Sequence, residues 1–147
     1  MAGTAAGTTL AISAALPASQ NVAGYAALSF TEINGLDKIG TFGSTPSKVT
    51  FTPLKGATQK HKGSVDYGAL GPTMAHDEDD AGQALLRTAA DDQLGEYSFR
   101  VAYPDGAKRY FQGKVFGYQE AVEGAENMLM GSTTIEINTP IVPAPAA

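Results

Sequence analysis

The sequence predicts a mainly β domain, a β-sandwich or barrel with one flanking α-helix. Three observations point there. Apolar residues recur at every second position in several short stretches, the period of a half-buried strand. Seventeen glycines and eight prolines punctuate those stretches, as the turns of a β-rich domain require. Helical spacing shows in one place alone.

The elements follow in order. Residues 1–7 are small and read as a flexible arm ahead of a single domain over residues 8–139. In Thr8 to Leu16, the residues Leu10, Ile12, Ala14 and Leu16 alternate as on a strand. Pro17 ends it. Gly24 to Ile33 predicts a second strand with Ala26, Leu28 and Phe30 on one face. Asn34-Gly35 is a turn signal, because glycine accepts positive φ without a steric cost. Leu36 to Thr45 is irregular, and Ser47 to Leu54 reads as a short strand with Val49 and Phe51 inward and Pro53 at an edge. Lys55 to Ser64 has no apolar period and predicts an exposed loop, after which Val65 to Ala75 regains strand character.

The helix is expected from about Asp79 to Ala90. Its stripe is Ala81, Ala84, Leu85, Thr88 and Ala89. Asp77, Asp79 and Asp80 stand at or before its start, where a carboxylate caps free N–H groups and suits the helix dipole. Beyond Gly95, Tyr97, Phe99, Val101 and Tyr103 alternate, and Pro104-Asp105-Gly106 makes a hairpin turn. The return strand, Ala107 to Glu120, places Tyr110, Phe116 and Tyr118 on one side with Phe111 and Val115 on the other, so both faces are expected to be covered. A last strand runs from Glu126 to Thr139. The tail 140–147 is too rich in proline to join a ladder.

Composition excludes several kinds of chemistry. The 147 residues suffice for one domain that buries roughly two-thirds of its unfolded surface. With no cysteine there is no disulfide scaffold, thiolate nucleophile or Cys-based zinc site. Ten basic against fifteen acidic residues give a formal charge of −5, the wrong balance for a protein that grips phosphate backbones, so no sequence-specific nucleic-acid binding is expected. The first seven residues have neither basic nor apolar signal-peptide regions, and no stretch approaches the ~20 apolar residues of a membrane span. A soluble intracellular protein is expected.

Active-site patterns fail one after another. Aligning Asp77 to Gly82 as a calcium loop puts Ala81 at the fifth ligand and Thr88 where a bidentate glutamate is needed. His61 and His76 lack partners in metalloenzyme register and read as solvated. Gly113-Lys114 lacks both the following Ser/Thr and the leading glycine of a phosphate loop. Asp91-Asp92 is read as a solvated pair rather than an acid–base couple. No catalytic residue, metal or cofactor is expected. Two charged features remain: a basic loop of Lys55, Lys60, His61 and Lys62, and an acidic helix region of Asp77, Glu78, Asp79, Asp80, Asp91 and Asp92, offset by Arg87. A monomer would solvate both, whereas a self-assembling protein could set one against the other on the next copy.

Several segments, in order, resemble the major tail tube protein of long-tailed (siphophage-type) bacteriophages. They are Phe30-Thr31-Glu32-Ile33-Asn34-Gly35-Leu36, then Asp66-Tyr67-Gly68, then Asp80-Ala81-Gly82-Gln83-Ala84-Leu85-Leu86. In the C-terminal third, Tyr103-Pro104-Asp105-Gly106 leads into Tyr110-Phe111-Gln112-Gly113-Lys114-Val115, a Val122-Glu123-Gly124 turn and Gly131-Ser132-Thr133-Thr134-Ile135-Glu136-Ile137. The resemblance covers most of residues 8–139. The Ala-rich N-terminus departs from it, and the tail after Thr139 falls outside.

This resemblance implies a β-sandwich with one helix, assembled as hexameric rings whose joined sheets line a channel. The rings would stack into a virion tail tube, assembled in the host cytoplasm, through which DNA passes into the host. Its partners would be itself, the tip or baseplate, the tape measure and the terminator, with no membrane. At −5 per copy a ring would carry roughly −30, and an acidic channel would let DNA slide. The Lys55–Lys62 loop would contact the neighbouring ring. Two other readings stay open. One is a monomeric β-sandwich module binding carbohydrate or a receptor, with Tyr110, Phe116 and Tyr118 as its groove. The other is a different tail component, such as a terminator or decoration protein.

Overall fold

A computed structural model describes residues 3–145. In chain order the elements are β1 (Thr9–Ser13), α1 (Val22–Ala26), β2 (Thr31–Ile33), β3 (Leu36–Lys38), β4 (Thr45–Phe51), β5 (Gln59–Asp66), β6 (Ala69–Leu70), β7 (Thr73–Ala75), α2 (Ala81–Asp91), β8 (Tyr97–Ala102), β9 (Lys108–Ala121), β10 (Met130–Ile137) and β11 (Val142–Ala144). Nine strands form one sheet in the order β2-β1-β8-β9-β10-β7-β3, with β6 added beside β10 and β11 beside β9. The path is open, and the described residues close no barrel. Strands β4 and β5 form a separate two-stranded sheet. No helix of the described residues is long and apolar enough to cross a membrane.

The alternation seen in the sequence lays down the main core. Leu10 and Ile12 of β1 face Val101 and Phe99 of β8 in direct cross-strand pairs, and Phe99 in turn faces Phe111 of β9. The Phe99 and Phe111 rings stack at 5.6 Å between centroids. Ile33, Leu70, Met74, Ile135 and Ile137 join the same cluster, so the sheet curls around one apolar centre. Helix α2 closes it with Leu86 and Ala89. The opposite face of β9 has its own smaller core. There Tyr110 stacks on Tyr25 at 5.3 Å, with Ala144 and Phe30 packed beside them. Both faces of the first half of β9 are covered, as its two-sided apolar pattern required.

Several expectations are corrected. Gly24 to Ile33 is not one strand: Asn21 caps a short helix by accepting from the Gly24 amide at 2.8 Å, and the strand is confined to Thr31–Ile33. There are therefore two helices among the described residues. The buried face of α2 is Gly82, Gln83, Leu86 and Ala89, rotated from the predicted stripe, and Ala81, Ala84 and Thr88 are exposed. Gly82 permits this packing, since a Cβ there would collide with the Glu32 carbonyl. Lys55 to Ser64 is not a loop throughout, because Gln59 onwards is β5. Val49 and Phe51 point to solvent, at 52% and 56% exposed.

The tail also joins the sheet. Val142, Pro143 and Ala144 pair with Tyr110, Arg109 and Lys108, and the missing donor of Pro143 is tolerated at an edge. In the arm, Ala5 to Thr8 form a hydrogen-bonded turn. Residues 1–2 of the arm and 146–147 of the tail lie outside the described residues.

Candidate functional site

The acidic residues fall into two groups, at the two ends of α2. Asp80 is the N-cap of α2: its carboxylate accepts from the Gln83 amide at 2.9 Å and from the Asn34 side chain at 2.6 Å. Burial pulls this carboxyl upward, but the bonds from Asn34 and Gln83 and the charge of Arg87 together hold it below the ordinary range. Asp77 accepts from the Asp79 amide at 3.0 Å. At the other end Asp92 accepts from the amides of Gly95 at 3.0 Å and Leu94 at 3.2 Å, and these bonds lower its pKa. Asp79 and Asp91 are exposed. Three of the six acids thus make local bonds that shape turns and caps.

Gln83 ties these segments together. It is fully buried, and its side-chain amide donates to the carbonyls of Asn34 at 2.8 Å and Ala75 at 2.9 Å. Its side-chain oxygen accepts from the Asp77 amide at 2.9 Å. Every strong hydrogen-bonding direction of a buried amide is thereby used except one lone pair.

The sixth acid, Glu78, belongs to a different cluster. His76 was expected to be solvated, yet its side chain is 5% exposed. Its Nδ1 lies 3.0 Å from the Tyr118 hydroxyl, and its Nε2 lies 2.8 Å from Glu78 and 3.7 Å from Glu120. The hydrogen bond from His76, then the charge of Arg87, pushes Glu78 below the ordinary carboxylate range. His76, Glu78 and Glu120 bring three ligand atoms within 4.8 Å of one another. They are the residues that could hold a cation, but Arg87 Nη2 stands 3.9 Å from Glu78 and competes for it.

Tyr118 reaches His76 because of a bulge the alternation did not foresee. Between the pairs Val115–Ile135 and Tyr118–Thr133, β9 has one residue more than β10. Gly117 absorbs it at φ +83°, and its carbonyl accepts from the Thr133 hydroxyl. The extra residue returns Tyr118 to the Val115 face. Tyr110, Phe116 and Tyr118 therefore do not line one groove: Tyr110 is buried, Phe116 is 63% exposed and Tyr118 packs against the main core.

The basic residues sit on the β4–β5 hairpin. Lys55 lies in its connecting turn, and Lys60, His61 and Lys62 lie on β5. The register pairs Lys48 with Lys62 and Thr50 with Lys60, while Val49 pairs with His61 and Phe51 with Gln59. Cross-strand partners share a face. One face of the ribbon therefore carries three lysines, and His61 lies on the other with the apolar residues. Lys48 was missed because it stands in a stretch read as an inward-facing strand. Glu120, Glu123 and Glu126 were missed as well. Their signal is that 118–130 holds three acids and no lysine or arginine. A cleft of about 1140 Å³ lies between the arm, residues 36–43 and the β8–β9 turn, with Arg109 held over the Tyr103 ring at 5.2 Å.

No family model matches this sequence, and no curated protein matches it. Solved structures do match by fold. One is a chain in the cryo-EM structure of the sheath/tube terminator of an extracellular contractile injection system, PVC, in its extended state. It has a TM-score of 0.69 at 6% identity, over 99% of this chain and 98% of that one. Another is a chain in the six-fold symmetrised baseplate of the anti-feeding prophage, with a TM-score of 0.66 at 8% identity, over 97% of each chain. The fold is similar to that of these two chains from contractile injection-system and anti-feeding prophage structures.

Proposed function

We propose that this chain is a structural subunit of a tail-like injection apparatus, acting by association with its own copies and with neighbouring components. The observation that supports this most is the fold likeness over nearly the full length of both chains. Such a role needs surfaces rather than chemistry.

Within such an apparatus, the comparisons favour a place at the end of the shaft, as a terminator or baseplate ring, over a continuous DNA-conducting tube. One similar chain belongs to a structure of a sheath/tube terminator and another to a structure of a baseplate. The six-fold symmetry of that baseplate supports a ring of six. Stacked rings conducting DNA along an acidic wall remain the second reading, supported by the net charge of −5.

Light scattering after size exclusion, with negative-stain microscopy, tests this. Discrete rings that bind the ends of preformed tails support the terminal position. Long hollow tubes support the stacked tube, and a basic lumen in them would count against DNA sliding. A monomer at high concentration that adds to no preformed tail would overturn the proposal.

A further inference from the structure

We infer that the lysine face of the β4–β5 hairpin docks on the β9–β10 end of a second copy of this chain, where Lys48, Lys60 and Lys62 meet Glu120, Glu123 and Glu126. The inference rests on the self-association proposed above and names the two surfaces that carry it.

The hairpin is ill-suited to stand alone. Neither β4 nor β5 pairs with the main sheet, and a two-stranded ribbon is marginal in water by itself. Lys48 directly opposes Lys62, and like charges in that position repel. Residues 45–66 carry four lysines and one aspartate. Among the described residues no lysine has an acidic partner within ion-pair distance. The opposite face exposes Val49 and Phe51. The ribbon leaves the body where Gly68 passes so close to the Gly43 carbonyl that a Cβ would stand 2.7 Å from it, so glycine is required at that crossing.

The β9–β10 end has the complementary character. Glu120, Glu123 and Glu126 are exposed with no base in the segment. Val122 and Met128 beside them are 77% and 69% exposed. Three exposed acids on one surface answer three unpaired lysines on the other. A nucleic acid could also neutralise the lysines, but a chain of net charge −5 repels it at long range. A second copy brings its acids with it, and a contact carried by these charges should weaken as salt screens them.

The test uses the full chain in three forms: wild type, Lys60→Glu/Lys62→Glu, and Glu123→Lys/Glu126→Lys. Sedimentation velocity and microscopy report assembly, and circular dichroism reports folding. Each charge-reversed variant should fold normally and need about tenfold more protein, or more, to assemble. An equimolar mixture of the two should recover assembly, because each then finds a complementary partner. Failure of the mixture would overturn the assignment of the acceptor. If wild type and both variants assemble alike, the docking is wrong and the structural-subunit reading stands. If wild type neither assembles nor adds to tails, both fall. Competition of a DNA duplex for the lysine face would overturn it in favour of a nucleic-acid occupant.

Discussion

Strand β9 and the β4–β5 ribbon obey the same local rule and reach opposite ends. In both, side chains alternate between two faces. On β9 the alternation sends Phe111 into the main core and Tyr110 into the second, and both are sealed. On the ribbon it sends Val49 and Phe51 to one face and three lysines to the other, and neither face is covered. What separates them is the material standing opposite. Strand β9 has β8, β10, β11, α1 and α2 around it, whereas the ribbon has only itself. Alternation therefore reports two-facedness, not burial.

The largest effect that tests this contrast comes from removing one phenylalanine in each region. Phe111 is fully buried and touches the rings of Phe99 and Phe42. Phe111→Ala should destabilise the monomer by about 3–5 kcal/mol. Phe51→Ala should change it by no more than about 0.5 kcal/mol, the usual range for an exposed site. Urea denaturation of both variants measures the difference, and equal losses would show that the ribbon is buried in solution.

A smaller effect concerns the link between α2 and the sheet. Asp80→Ala removes the N-cap and the Asn34 contact and should cost about 1 kcal/mol at neutral pH. The sign with pH follows from the lowered carboxyl. A group whose folded pKa lies below its unfolded one stabilises above the unfolded value and loses that contribution as pH falls through the folded one. The wild type should thus lose its advantage over Asp80→Ala below about pH 4. Melting temperatures across pH 2–7 for both proteins check this, and a constant gap would show that the carboxylate charge is not what holds the cap.

How much of this was legible depends on whether a residue's fate was set locally. The strand pattern of Leu10 and Ile12, the Pro104-Asp105-Gly106 turn and the Asp80 cap were readable, since each rests on neighbours in sequence. The rest was decided at a distance. The α2 stripe was misread because Gly82 and Gln83 do not look like core residues. They are inside because the Glu32 backbone approaches one and two separate segments, at Asn34 and at Ala75 to Asp77, hydrogen-bond the other. Tyr118 was placed on the wrong face because one residue opposite β10 is accommodated at Gly117. Tyr25 was hidden in an alternating stretch that Asn21 turns into helix. The candidate surfaces were half visible: the lysines and the helix acids stood out as runs, while Lys48 and Glu120, Glu123 and Glu126 were dispersed among apolar residues.

The smallest effect sharpens the comparison most, because it separates the stability of a region from its use. Lys48→Thr removes one member of the like-charged pair with Lys62 and substitutes a residue that suits a strand. In the isolated chain it should stabilise the ribbon by a few tenths of a kcal/mol at low ionic strength, and the gain should shrink in salt. Hydrogen exchange of the β4 and β5 amides measures this directly, where a global melt would not resolve it. If the lysines existed only to keep an exposed ribbon soluble, the variant would be a slightly better protein with no cost. If they meet the acids of a second copy, the same substitution strengthens the ribbon and weakens assembly. A change of opposite sign in the two measurements cannot arise from folding alone, and it would identify the repulsion in the monomer as something retained for the contact that relieves it.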